Sequence, residues 1–214
     1  MLPNKKRILL ISSFLLLPIM LVWFQITTTT LGSKWGYIIG LVGYWFYCLF
    51  TAWLMAGFDW NYLSNAWKNF NENRYASWVF IAAFIPVVPT IFFFIPIIPR
   101  LTLATVLLAI FTSVVNGPVE EFYWRGLYLL EFHHDKWIGF FLSTLLFGAW
   151  HFAVWFAKGV HYEGGILPLV GGAYILGILW AWVTRSTGNF RAAAFAHVLV
   201  NLFALSGLFA RNGF

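Results

Sequence analysis

Long apolar runs alternate with short polar stretches along the whole chain. An apolar run of roughly 20 residues crosses the hydrocarbon core of a bilayer as one α-helix. The pattern therefore predicts an all-α fold, a multi-pass transmembrane helical bundle of about seven spans. The expected spans are 8–26, 35–57, 77–98, 101–130, 137–157, 166–184 and 192–210.

The polar content of these runs divides the chain in two. Residues 1–100 hold about three spans with few polar groups beyond Ser and Thr, and residues 101–214 hold about four spans with most of the others. The most polar internal stretch, residues 59–76, predicts an interfacial loop or a short amphipathic helix on the membrane surface.

Composition supports a membrane protein and argues against a nucleic-acid partner. The chain is 61% hydrophobic and only 9% charged, whereas soluble domains carry about 25% charged residues. The net charge of +6 comes from basic residues scattered singly, which is typical of loop anchors beside a bilayer.

The basic residues also predict an orientation. With a cytoplasmic N-terminus, eight basic residues fall inside and four outside, which favours that orientation. The inner set is Lys5, Lys6, Arg7, Lys68, Arg74, Lys136, Arg185 and Arg191. The outer set is Lys34, Arg100, Lys158 and Arg211.

A few ionisable and amide side chains lie inside the predicted spans, where they cost several kcal/mol and usually mark function. They are Asn116, Glu120, Glu121 and Arg125 on the fourth span, His151 on the fifth, and His197 and Asn201 on the seventh. Glu120, His151, His197 and Asn201 are expected between the cytoplasmic face and mid-membrane.

Helical spacing separates the two adjacent glutamates. Glu121 and Arg125 are four residues apart with the acid first, which is the favourable order for an ion pair. Glu120 points about 100° away from Glu121 and has no such partner. Pro118 lacks an amide hydrogen and is expected to loosen the helix just before Glu120.

An unpaired carboxylate near two histidines and an amide suits hydrolysis. The carboxylate can act as general base on a water. One histidine can hold that water, or it can ligate a metal ion that acidifies it. The other histidine and the amide can donate hydrogen bonds to the oxyanion that forms.

Three short motifs carry a family resemblance. "EEFYWR" fits Glu-Glu-x-x-x-Arg, "FGAWH" fits Phe-x-x-x-His, and "HVLVN" fits His-x-x-x-Asn. In this order, on successive apolar spans, they resemble the motifs of the CPBP family. This family includes CAAX prenyl endopeptidases, bacteriocin-processing or self-immunity proteins and abortive-infection-like proteins.

The resemblance implies an intramembrane endopeptidase whose CPBP-type catalytic core lies in residues 101–214. Its substrate would be a peptide or a membrane protein within the lipid bilayer. The roles carried over by position are water activation by Glu120 with His151, an oxyanion site of His197 and Asn201, and structural support from Glu121, Arg125 and Phe147. A single divalent metal, such as zinc, held by Glu120, His151 and His197 stays open beside a metal-independent glutamate peptidase.

Two other readings remain open. The chain can be a non-proteolytic immunity or regulatory membrane protein of the same family. Less favoured is a small proton-linked transporter in which Glu120 and the histidines relay protons. Transporters usually show pseudo-repeated halves, whereas the polar residues here are concentrated in one half.

Overall fold

The computed structural model describes residues 4–57, 59–67 and 76–214, and every regular element in these ranges is helical. The α-helices are α1 (Asn4–Ala56), α2 (Trp60–Asn65), α3 (Ala76–Ala82), α4 (Val87–Phe94), α5 (Leu103–Glu121), α6 (Tyr128–Phe132), α7 (Ser143–Trp155), α8 (Gly172–Thr187) and α9 (Arg191–Arg211). A 3₁₀ segment spans Ile95–Arg100, and π-helical segments span Phe122–Leu127, Trp137–Leu142 and Leu167–Gly171.

Six helical stretches within the described ranges are long and apolar enough to cross a membrane. The all-α, multi-pass architecture predicted from the sequence is therefore confirmed. The stretches are Asn4–Ala56, Trp78–Arg100, Leu103–Phe132, Trp137–Trp155, Leu167–Thr187 and Arg191–Arg211.

The first stretch contains two crossings. Its 53 residues would extend about 80 Å as a straight α-helix, far more than the hydrocarbon thickness of roughly 30 Å. The chain reverses at Gly32, whose φ of 76° and ψ of 166° are not helical. Only glycine adopts this conformation readily, so residues 4–31 and 33–56 form a helical hairpin.

Contacts between the two arms confirm the hairpin. Gly36 packs directly against the Thr27 backbone, and the Trp23 indole N–H donates to the Ile39 carbonyl at 3.2 Å. With these two arms, the six stretches account for about seven spans, as the sequence pattern predicts.

Part of the predicted interfacial segment lies in the short helix α2. Asp59 caps this helix by accepting a hydrogen bond from the Asn61 amide at 2.9 Å. Residues 68–75, with the predicted inner-side Lys68 and Arg74, lie outside the described residues.

Helices α5 and α9 pack antiparallel and position the central polar residues. Thr105 at the start of α5 donates to the Phe214 carbonyl at 3.0 Å. One turn before the glutamates, Gly117 faces α9 so closely that a Cβ there would lie 2.9 Å from Val198. The absence of a side chain at Gly117 therefore allows α9 to approach the last turn of α5.

The loosening expected near Pro118 occurs one turn later. Helix α5 continues through Pro118 as far as Glu121 and then widens into the π segment Phe122–Leu127. The Phe122 amide is shared between the carbonyls of Pro118 and Val119. Such π-helical turns are frequent at functional sites, and this one directly follows the Glu-Glu pair.

Candidate active site

The predicted ion pair between Glu121 and Arg125 lies in the protein interior. Arg125 Nη1 is 3.1 Å from Glu121 Oε1, and both side chains are almost fully buried. Arg125 Nη2 also donates to the Gly177 carbonyl at 3.4 Å, and its guanidinium lies 3.9 Å from the centre of the Phe147 ring. The pair therefore ties α5 and the following π segment to α7 and α8.

His197 on α9 lies between the two glutamates. Its Nδ1 is 2.9 Å from Glu121 Oε1, and its Nε2 is 3.4 Å from Glu120 Oε2. The imidazole also stacks on Trp180 of α8, with ring centres 4.4 Å apart. Because the carboxylate can only accept, Nδ1 donates to Glu121, and Nε2 is left facing Glu120.

Glu120 differs from Glu121 in its hydrogen bonding. Its side chain is buried, and neither carboxylate oxygen makes a hydrogen bond of ordinary geometry to the described residues, although the Tyr44 hydroxyl and His197 Nε2 lie beside it. Buried polar groups in proteins are nearly always hydrogen-bonded to protein or water. Glu120 thus has both oxygens available to a water or a substrate, whereas Glu121 has only Oε2, because its Oε1 is bound by Arg125 and His197.

The charges of this cluster depend on one proton. Ionised Glu120 and Glu121 carry two negative charges, and Arg125 carries one positive charge. Burying a net charge is costly, and one proton on either Glu120 or His197 makes the group neutral. The two atoms that can carry it, Glu120 Oε2 and His197 Nε2, are 3.4 Å apart.

His151 joins this group through Phe147. Its Nδ1 lies 2.9 Å from the Phe147 carbonyl of its own helix, so Nδ1 donates and Nε2 is free to accept. Phe147 contacts His151 and His197, with ring centres 5.1 Å and 6.3 Å away. The contacts found for His151 run to Phe147 and Trp150 rather than to Glu120.

Asn201 lies one helical turn beyond His197 on α9 and is half-buried. Its side-chain nitrogen Nδ2 is buried and has no hydrogen-bond partner within the described ranges. An amide donor with no protein acceptor is available to a bound group. Asn116 differs, because its Oδ1 accepts from the Trp45 indole at 2.7 Å and links two helices.

The sequence patterns did not identify the aromatic residues around the glutamates. Tyr44 of α1 lies near Glu120, accepts a hydrogen bond from the Trp124 indole at 3.0 Å and stacks on Trp150 at 3.9 Å. Tyr44 lies on the N-terminal hairpin, far in sequence from the three motifs. Buried Tyr and Trp usually need a polar partner, but this rule does not say which partner.

The candidate metal ligands do not form a set in this structure. No group of three or more His, Cys, Asp or Glu side chains among the described residues is placed to hold a metal ion. Glu120 and His197 are adjacent, but His151 is joined to them through Phe147. Whether a metal takes part in the reaction is a question for experiment.

The comparison with protein families bears on the segment that holds all three motifs. Residues 102–203 match the family described as type II CAAX prenyl endopeptidase Rce1-like. The match covers just under half of the chain, and it confirms the resemblance to the CPBP family. Searches of curated proteins and of solved structures found no match.

The match supports a coarse function. Rce1-like proteins form a protease family, so the matched segment supports a CAAX-type intramembrane protease in a multi-pass membrane protein. It does not assign roles to individual residues, which rest on the geometry above.

Proposed function

We propose that this protein is an intramembrane endopeptidase in which Glu120 activates a water to attack a peptide bond. One observation carries this proposal: Glu120 is a buried carboxylate whose oxygens make no hydrogen bond of ordinary geometry to the described residues, with His197 and the Tyr44 hydroxyl beside it. A water held at Glu120 satisfies the orphaned oxygens and lies where a general base must contact it.

The surrounding residues suit the steps of hydrolysis. Glu120 takes a proton from the water while the water oxygen attacks the carbonyl carbon. Nε2 of His151 accepts the other hydrogen bond of the water. The C–N bond then breaks, and the proton held by Glu120 passes to the leaving amine.

His197 and Asn201 supply the donors for the oxyanion. With Nδ1 donating to Glu121, His197 donates to the developing negative charge when it also carries a proton on Nε2, as an imidazolium. Asn201 Nδ2, which has no acceptor among the described side chains and backbone, is the second donor. Glu121 and Arg125 hold the His197 ring in place and remain outside the reaction.

The substrate class follows from the family match and the membrane setting. We propose a peptide or protein segment that reaches the site within the lipid bilayer, in keeping with a CAAX-type protease. C-terminally prenylated peptides are therefore the first probes, tested beside unmodified peptides of the same sequence.

A cleavage assay on the purified full chain tests the proposal. Glu120→Gln, His151→Ala and His197→Ala are expected to lose about 100-fold or more of the cleavage rate, because they remove the general base, the group that holds its water and an oxyanion donor. Glu163→Gln is the matched control, because Glu163 lies in an exposed loop and pairs with Arg211 at the end of α9. Equal cleavage rates for the wild type and all variants would overturn the roles given to these residues. No cleavage of any probe by the wild type would favour the non-proteolytic alternative.

A chelator tests the open question of a metal. Because three donors do not converge in the described structure, cleavage is expected to persist when a chelator is present. Loss of cleavage that is restored by added zinc would overturn this expectation and make Glu120 and His197 candidate ligands.

A further inference from the structure

A second polar site lies at the end of the bundle where α1 begins and α6 ends. It is a cavity of about 500 Å³. Glu131, on its wall, is eleven residues beyond Glu120, which is roughly 16 Å along a helix, so the cavity is separate from the candidate active site. Its lining residues are Lys6, Glu131, Phe132, His133, His134, Asp135, Lys136 and Trp137.

Positive charge exceeds negative charge in and around this cavity. Lys6 and Lys136 line it, and two further cations lie alongside. The ammonium of Lys5 sits 3.5 Å above the Tyr62 ring, and Arg185 donates to the Phe132 and His133 carbonyls beneath the loop. Four cations against the two carboxylates of the lining leave a net charge of +2.

Both carboxylates already have local partners. Glu131 Oε1 accepts a hydrogen bond from the Tyr62 hydroxyl at 2.8 Å. Asp135 Oδ1 accepts from the Ile138 amide at 3.0 Å and so caps the start of the next helix. Among the described residues, neither Lys6 nor Lys136 forms a salt bridge with these two acids.

Two adjacent histidines add possible hydrogen-bond donors to the wall of the cavity. The His133 and His134 rings are 3.7 Å apart, and both side chains are exposed. Partial burial lowers the pKa of His133, and the neighbouring positive groups lower it further. An anion in the cavity would therefore meet the positive charges of the lysines and Arg185, with neutral imidazole N–H groups as further donors.

The position of the cavity relative to the bilayer indicates what kind of anion reaches it. Trp137 lines the cavity, begins a candidate span and is 75% exposed. Exposed Trp at the end of a span lies at the level of the lipid headgroups. Lys6 stands near the start of the first span, at the same level.

We propose that this cavity binds the phosphate headgroup of an anionic phospholipid. Lys6 and Lys136 contact the phosphate oxygens, and His133 and His134 supply further hydrogen bonds. Juxtamembrane lysines are attracted to anionic lipids in this way, and the cavity turns that general attraction into a defined site. The proposal concerns lipid binding and does not depend on the proposed peptidase activity.

Native mass spectrometry of the purified full chain tests the site. The probe is an equimolar mixture of phosphatidylglycerol and phosphatidylcholine in detergent, and the measurement is the ratio of bound lipids. The wild type is expected to retain phosphatidylglycerol preferentially. The Lys6→Gln/Lys136→Gln variant is expected to lose about 25-fold of this preference, at about five-fold per lysine.

Two control variants make the result specific. Lys34→Gln/Lys158→Gln removes the same charge at the other end of the bundle, where the Lys158 amide donates a hydrogen bond to the Thr28 hydroxyl. This variant should keep the preference for phosphatidylglycerol. Lys6→Arg/Lys136→Arg keeps the charge in the cavity and should also keep it. Equal loss in the Lys34/Lys158 variant, or no preference in the wild type, would overturn the proposal.

A competition arm distinguishes the two sources of phosphate. Excess inorganic phosphate is expected to leave phosphatidylglycerol bound, because the acyl chains hold the lipid at the membrane level. Complete displacement by inorganic phosphate would assign the cavity to free phosphate and overturn the lipid source.

Discussion

At the residue scale, the two adjacent glutamates have opposite surroundings. Glu121 binds Arg125 and His197, whereas Glu120 has His197 and the Tyr44 hydroxyl beside it and no hydrogen bond of ordinary geometry in the described part of the chain. Glu121 stabilises the interior, and Glu120 is available for chemistry. Their effects on stability and activity should therefore separate under mutation.

Removal of Arg125 should destabilise the fold. Arg125→Ala leaves Glu121 buried without its main counter-charge, and breaking such a pair costs about 3–5 kcal/mol. The free energy of unfolding in a denaturant titration of the detergent-solubilised protein measures this.

The control for that experiment is a second ion pair. Arg211→Ala removes the partner of Glu163, whose side chain is 63% exposed, and exposed pairs contribute under about 1 kcal/mol. Similar destabilisation by Arg125→Ala and Arg211→Ala would contradict the structural role of the buried pair.

At the element scale, the site depends on how closely α5 approaches α9. Gly117 has Val198 so near that even a methyl group would force the helices apart. His197 directly precedes Val198, so such a shift would change the 3.4 Å separation between His197 and Glu120.

Gly117→Ala is accordingly expected to lower both stability and cleavage. Overpacking of a close contact costs about 1–3 kcal/mol, and unfolding and cleavage measured on one preparation give both effects. Gly172→Ala is the matched control, because nothing lies within 4 Å of a Cβ at that helical glycine. A Gly117→Ala protein that behaves like Gly172→Ala would contradict the role of this contact.

The sequence predicted contacts within one helix better than contacts between helices. The Glu121–Arg125 pair follows from a four-residue spacing, and the span pattern follows from the length of apolar runs. The approach of His197 to Glu120 depends on the packing of α5 against α9, which no local pattern specifies. The same holds for Tyr44, whose partners Trp124 and Trp150 lie on distant elements.

At the scale of the whole molecule, the hairpin at Gly32 decides the topology. If residues 4–56 cross the membrane twice, Lys5 and Lys34 lie on opposite sides. The predicted cytoplasmic N-terminus then places Lys34 and Arg211 outside.

Labelling of single cysteines tests this topology in sealed vesicles of known orientation. Cys48→Ala removes the natural buried cysteine, and Lys5→Cys, Lys34→Cys and Arg211→Cys are then introduced one at a time. Lys5→Cys is expected to react with an impermeant reagent only from the cytoplasmic side, and the other two only from the outside. Labelling of Lys5→Cys and Lys34→Cys from the same side would contradict the double crossing.

In the proposed mechanism, Glu120, unlike its neighbour Glu121, holds the water that cleaves the substrate. The most direct measurement is the cleavage rate of purified Glu120→Gln, with its unfolding measured on the same sample. The Glu120→Gln protein is expected to lose about 100-fold or more of the cleavage rate while it remains as stable as the wild type. A folded Glu120→Gln protein that cleaves at the wild-type rate would contradict the claim.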